Sequence, residues 1–557
     1  MDFNHYFSND ELIALITSWA EIFPQLITVN KLGESYEKRP IWILTITNQA
    51  SGMAQDKPAV WIDANIHATE ISGTTVALFI AQSLLHGYGN DLQITRLLDT
   101  SVFYIVPRVN PDGAALAMGP KPCYVRSGVR PYPWDEKEEG LHVEDIDNDG
   151  RILQMRLPDQ NGDWKISSLD TRLMEKRSPD ENGGTYYRLL SEGLLEDFDG
   201  YVIREARPFQ GLDFNRNFPF EWRPEGEQSG SGPYPASEPE IRALIDFIVN
   251  HPNINLALTY HTFSKVILRP YSTKSDDAMD TNDLWVYKRI GARGTEITGY
   301  RNASVFHDFK YHPKEVTTGA FDDWMYDTLG VFTFTIELWD LPTEAGIKDR
   351  KFIEWWRDHP HSEDVQILKW AEEHADPGAY VDWYESIHPQ LGKVELGGWN
   401  QMYTWRNPPP ALIGQEAIRQ FPFILALGEM LPHLRIYKLE VTSLTEGDYR
   451  INLVIDNSGF LPTFTSMQGK KRQAVRPVRI ELELPENATL ISGKRRSDLG
   501  HLQGRSKDLD VTSFGASNPT DNRGRLEWVI RAPAGTQLVI NILSERAGSL
   551  RKTILLP

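Results

Sequence analysis

The stretch Val60-Trp61-Ile62-Asp63-Ala64-Asn65-Ile66-His67-Ala68-Thr69-Glu70 decides the fold. Its first half is a short, largely apolar run, which predicts a buried strand, so His67 and Glu70 fall on the turn that follows. A second apolar run, 254–260, leads to His261, expected just beyond its end, and Thr333-Phe334-Thr335-Ile336 leads to Glu337. Imidazole nitrogens and carboxylate oxygens are zinc donors, and a catalytic zinc keeps three protein ligands and one open position. The set therefore predicts a mononuclear zinc site on His67, Glu70 and His261, with Glu337 left free as a base. Ligands at strand ends fit the rule that sites in open α/β sheets lie at the carboxyl ends of the strands.

Outward from this stretch, strands are expected at 41–47, 59–63, 102–106, 254–260 and 331–336, separated by helices such as 74–85 and 238–249. Ser8-Asn9-Asp10-Glu11 is a capping box opening a helix with Leu12, Leu15, Ile16 and Trp19 at helical spacing. The alternation predicts an α/β sheet covered on both faces. After Pro432 the texture changes to short alternating strands at 449–455, 478–484, 526–531, 538–543 and 553–556, which predicts an all-β sandwich. A helical stretch at 416–431, interrupted or kinked at Pro422, closes the first unit. At 557 residues the chain exceeds one core, and the division expected is 1–432 and 433–557. The polar segment 132–207 reads as a strandless insertion beside the site. Within it Asp145, Asp147, Asp149, Gly150 and Ile152 match the first part of an EF-hand calcium loop, but position twelve is Arg156, so the alternatives are calcium binding or a solvated acidic turn.

Further motifs stand in order along the chain: Asn110-Pro111-Asp112-Gly113, Gly211-Leu212-Asp213-Phe214-Asn215-Arg216-Asn217, and Asp323-Trp324 through to Glu337. With His67-Ala68-Thr69-Glu70 and His261 they resemble the zinc metallocarboxypeptidase family, the carboxypeptidase A-like enzymes, up to about residue 430. That resemblance implies a mixed central sheet flanked by helices. It also implies zinc on His67, Glu70 and His261, Glu337 as general base, and Asn215 and Arg216 as clamp for a substrate carboxylate. Asp213 would accept the other ring N–H of His67, and Arg126, or its near neighbour Arg130, would polarise the scissile carbonyl. Asp322 falls where the family keeps the residue at the bottom of its specificity pocket. An aspartate there resembles the carboxypeptidase B-like enzymes, which favour C-terminal Lys or Arg, while the competing reading is a helix cap.

The sequence departs from the family at two places. Glu315 occupies the position of its mobile tyrosine, so either Tyr311 takes that role or the group is missing, and Thr69 replaces an arginine common next to the second ligand. The reading in front is hydrolysis of the C-terminal bond of a peptide with a free carboxylate. A zinc amidase or deacylase acting on small acylated amino acids or muropeptides is the alternative, and a binding protein that has lost its zinc is the distant third.

Composition narrows the partners. Lys and Arg number 58 against 77 Asp and Glu, and a net charge of −19 argues against nucleic acid and anionic membranes. No apolar run reaches transmembrane length. Cys123 is alone, so no intrachain disulfide forms, and with no secretory leader pattern at Met1–Phe7 a cytoplasmic location is expected. The sandwich carries no recognisable chemistry, and its partner is unknown.

Overall fold

The computed structural model describes residues 2–310, 312, 314–348, 350–507 and 518–557. An eight-stranded sheet runs in the order Ile27–Glu34, Pro40–Ile46, Val102–Val106, Ala59–Ala64, Ile254–Thr262, Phe332–Leu338, Val266–Arg269 and Arg301–Ser304. The four strands from Val102–Val106 to Phe332–Leu338 are mutually parallel. Antiparallel pairings join Pro40–Ile46 and Val266–Arg269 to that block, so the sheet is mixed.

Every residue of Ala59–Ala64, Ile254–Thr262 and Phe332–Leu338 is buried, as expected for parallel strands covered on both faces. Alternation divides their side chains between two cores. Val60, Ile62, Leu258, Phe334 and Ile336 pack with the helices Ser72–Gly87, Thr281–Thr298 and Pro410–Met430. Trp61 and Ala257 pack on the other face with the helices Pro239–Val249 and Phe321–Leu329. Towards the carboxyl ends that second face turns polar, with Asp63, Thr259, His261, Thr335 and Glu337 following the apolar residues. In register, His261 lies directly opposite Glu337. His261 is therefore inside its strand, not beyond it, because the ladder continues to Thr262.

The capping box forms as expected, with Ser8 and Glu11 opening Asn9–Ile22. The last long helix begins at Pro410 and runs through Pro422 to Met430. The segment 132–207 is not strandless. Gly140–Val143 pairs with Gly193–Glu196, while Gln154–Pro158, Trp164–Ile166, Met174–Lys176 and Tyr187–Ser191 join the hairpin Tyr380–His388/Gly392–Trp399 in a six-stranded sheet. These strands are short and half exposed, and a small core of Leu141, Met155, Leu195, Val394 and Leu396 holds them. So little apolar alternation gave the sequence no period to read.

Beyond residue 433 two four-stranded antiparallel sheets enclose a separate apolar core that includes Ile451, Trp528, Ile480 and Ile540. The buried Arg546 of this part donates to the carbonyls of Ile254 and Leu329, fastening the start of the strand that carries His261.

Candidate metal centre and active site

Two histidine rings and one carboxylate converge at the carboxyl end of the central strands. The Nδ1 atoms of His67 and His261 lie 3.0 Å apart, and Glu70 Oε2 is 2.9 Å from the first and 3.0 Å from the second. Their outward contacts fix the tautomers. His67 Nε2 faces the Asp213 carboxylate at 3.2 Å, which can only accept. His261 Nε2 faces Thr259 Oγ1 at 3.2 Å, and that hydroxyl spends its own proton on Asp63. Both Nε2 atoms therefore carry the ring protons, so two Nδ1 lone pairs and a carboxylate oxygen point at one another. Three acceptors so placed call for a cation, and two imidazoles with one carboxylate are a zinc donor set. All three residues are buried.

Charge is arranged around this point. Arg126 donates from Nη1 to Glu70 Oε1 at 2.9 Å and from Nε to Asp213 Oδ2 at 3.0 Å. Burial opposes ionisation of Glu70, but His67, His261 and Arg126 together hold its carboxyl well below the usual range. Asp213 is likewise held low against its burial by Arg216, Arg126 and His67. Glu337 behaves oppositely: burial pushes its carboxyl up to about 8, with the Glu70 charge adding to the effect and His261, Arg126 and Arg406 opposing it. A buried carboxylate poised in this way beside a metal site has the character of a general base.

The remaining expected residues divide. Arg130 is turned away and pairs through Nη2 with Glu238 at 2.7 Å, so Arg126 is the arginine brought to the donors. Asn215 and Arg216 sit on a tight helical turn, and Asn215 Oδ1 accepts from the backbone N–H of Phe321 at 2.8 Å. That bond docks the turn on the helix Phe321–Leu329, whose first turn carries Asp322. Asp322 is not the cap of this helix. Ala320 holds that position, while Asp322 is buried and accepts from its neighbour's N–H at 3.0 Å and from Thr335 Oγ1 at 3.4 Å. Burial raises its carboxyl, against the charges of His261 and Arg216. Tyr311 lies outside the described residues, and Glu315 is exposed.

Residues 12–358 match the family model described as zinc carboxypeptidase. The chain belongs to the zinc carboxypeptidase family. Carboxypeptidase B2 of Bos taurus is 26% identical over 347 residues, 61% of this chain and 64% of that protein, so the match spans under two thirds of the relative's length. Carboxypeptidase A2 of Rattus norvegicus is 25% identical over 388 residues, covering 65% and 72%. Among solved structures, thrombin activatable fibrinolysis inhibitor aligns with 67% of this chain and 75% of its own at 24% identity and a TM-score of 0.39. Residues 433–555 match a domain of unknown function, DUF8731.

Membership of the zinc carboxypeptidase family implies Zn²⁺, and His67, Glu70 and His261 fit it. Calcium is a different matter. Asp145, Asp147 and Asp149 bring carboxylate oxygens within 4.8 Å of one another. Those groups are engaged by the loop and its neighbours: Asp145 accepts from the N–H groups of Asn148 and Gly150, Asp147 from the Tyr384 hydroxyl, and Asp149 from Arg151. Arg156 pairs with Glu395.

The sequence offered no signal for several residues that complete the cleft. Above Glu70 and Glu337 opens a cavity of about 400 Å³ whose walls include Arg126, Phe263, Trp356, Arg357 and Arg406. Arg406 ends the helical turn Gln401–Arg406, and the buried Asn407 fastens that turn to the ligand loop by donating to Thr69 O at 2.7 Å and accepting from Ser72 Oγ at 2.7 Å. No motif marks this segment, because its place is set by a contact across more than 300 residues of chain.

Proposed function

We propose that this protein is a zinc-dependent carboxypeptidase that hydrolyses the C-terminal peptide bond of peptides and prefers a basic terminal residue, with residues 1–432 carrying the catalysis. The observation that carries the reading is the convergence of the Nδ1 atoms of His67 and His261 with Glu70, with Glu337 directly across the ladder from His261. Zinc held there supplies a Lewis acid for the scissile carbonyl and acidifies a water molecule. Arg216 presents a planar fork matched to the terminal carboxylate. Asp322, within reach of the Arg216 charge, receives a cationic side chain, and the approach of that cation returns its carboxyl to the ionised form. Arg126 faces the oxygen on which negative charge develops, and Glu337 takes the proton of the attacking water and hands it to the departing amine.

Two tests follow. Free-acid peptides should lose one residue, while their C-terminal amides should survive, since an amide leaves the Arg216 guanidinium without its partner at a cost of roughly 1–3 kcal/mol or more. Mass spectrometry reads this directly, and equal cleavage of both forms would put the amidase reading in front. Asp322→Lys should depress release of C-terminal Lys or Arg relative to a C-terminal Glu. An unchanged ratio of kcat/KM values would remove Asp322 from the pocket.

A further inference from the structure

The two histidines of the metal centre are backed in different ways. His67 Nε2 meets the Asp213 carboxylate directly at 3.2 Å. His261 reaches a carboxylate through a hydroxyl: its Nε2 lies 3.2 Å from Thr259 Oγ1, which donates to Asp63 Oδ1 at 2.7 Å. The sheet builds this chain. Asp63 and Thr259 are register partners on the parallel strands Ala59–Ala64 and Ile254–Thr262, and His261 follows Thr259 by two residues, on the same face. All three side chains are buried.

Each proton in the chain has one place. Trp61 Nε1 donates to Asp63 Oδ2 at 2.7 Å, which leaves Oδ1 turned to Thr259. Burial raises the Asp63 carboxyl to about 6, with Thr259, Trp61 and the His261 charge opposing, so at pH 8 it is an acceptor only. A hydroxyl has a single proton. Thr259 gives it to Asp63 and offers His261 a lone pair, which holds the ring proton at Nε2 and leaves Nδ1 bare, 3.0 Å from Glu70 Oε2. An imidazole whose tautomer and orientation are fixed from behind is a stronger metal ligand than a free one.

We propose that Asp63 and Thr259 are positioning residues of the metal centre that act through His261: the relay from Asp63 through the Thr259 hydroxyl decides which ring nitrogen faces the ion and so sets how tightly zinc is held. The proposal rests on the zinc reading of His67, Glu70 and His261 and adds to it two residues behind the ligands.

A relay and a mere packing role make opposite demands on small substitutions. Asp63→Asn keeps the shape, but Trp61 Nε1 can only donate and therefore holds the amide oxygen, turning the amide N–H groups to Thr259. The hydroxyl must then accept on that side, and its proton points at His261 Nε2, which drives the ring proton to Nδ1 where the ion belongs. Thr259→Val also keeps the shape and removes the acceptor behind His261. Thr259→Ser keeps the hydroxyl and loses a buried methyl group. Packing alone would spare the first two variants and penalise the third.

The test measures zinc dissociation constants of the full chain at pH 8 by competition with a chromogenic chelator. The visible spectrum of the cobalt-substituted chain and the thermal unfolding of the zinc-free form are recorded alongside. Thr259→Ser should bind zinc within a few fold of the wild type. Thr259→Val should bind it about 10- to 100-fold more weakly, the usual cost of removing the group behind a ligand, and Asp63→Asn at least as weakly, both with an altered cobalt spectrum. Wild-type affinity in Asp63→Asn or in Thr259→Val overturns the proposal and leaves the zinc reading standing, as does a Thr259→Ser variant as weak as Thr259→Val. Failure of both Asp63→Asn and Thr259→Val to fold makes the pair a packing element and overturns it too. A wild type that holds no zinc sinks the zinc reading and this proposal with it.

Discussion

Glu337→Gln retains zinc and the native fold and loses about 10²- to 10⁴-fold in turnover, the usual cost of removing a general base. The substitution preserves shape, and Glu337 sits on a strand whose neighbours are all buried, so nothing in the packing is disturbed. What disappears is the group that takes the proton from the attacking water and gives it to the leaving amine. Burial pushes this carboxyl up to about 8, against the opposing charges of His261, Arg126 and Arg406. A divalent ion held by His67, Glu70 and His261 would lower it again and so favour the ionised base at neutral pH. Rates from single-turnover assays, with zinc content and circular dichroism on the same preparation, check the outcome. A variant holding a tenth of the wild-type rate would mean that another group is the base.

Arg126→Met lowers kcat by about 10²- to 10³-fold, since one lost oxyanion donor typically removes about 3 to 4 kcal/mol of transition-state stabilisation. Arg130→Met is the matched control. Its guanidinium is committed to Glu238, so the change should leave kcat within a few fold and show itself in stability instead. Arg126 also touches Glu70 and Asp213, and its loss could act through the metal. Zinc content separates the two routes: undiminished zinc with depressed kcat places the effect on the carbonyl, whereas a fall in zinc that tracks the rate assigns Arg126 to holding the ligands. Equal losses from Arg126→Met and Arg130→Met would contradict the geometry.

The parts of this fold that the sequence revealed are those in which a local pattern and a global position agree. Buried parallel strands read as continuous apolar runs, and their ends carry the polar residues, so His67, His261 and Glu337 could be placed before any coordinate was known. Asp213 was legible only through the resemblance of Gly211-Leu212-Asp213-Phe214-Asn215-Arg216-Asn217 to the family's motif, since it caps the short turn Phe214–Arg216 and ends no strand. The choice between Arg126 and Arg130 was not legible. The two lie four residues apart in an irregular segment, and only distant partners distinguish them, Glu70 and Asp213 for Arg126 and Glu238 for Arg130. The sheet built from 132–207 and the 380–399 hairpin was missed because its strands are short, half exposed and without clean alternation. Arg406 was missed because its position depends on Asn407 reaching Thr69 and Ser72, a contact that no spacing announces. Asp322 could be read as pocket or cap from sequence, and the start of the helix at Phe321 after the cap position Ala320 removes the second choice.

The central claim is that His67, Glu70 and His261 hold one zinc ion, and elemental analysis of the purified chain tests it most directly. After reconstitution with zinc and exhaustive dialysis, the wild type should retain about one zinc per chain, and the His67→Ala, His261→Ala double variant should retain almost none. Zinc near zero in the folded wild type, or zinc undiminished in the double variant, would contradict the account.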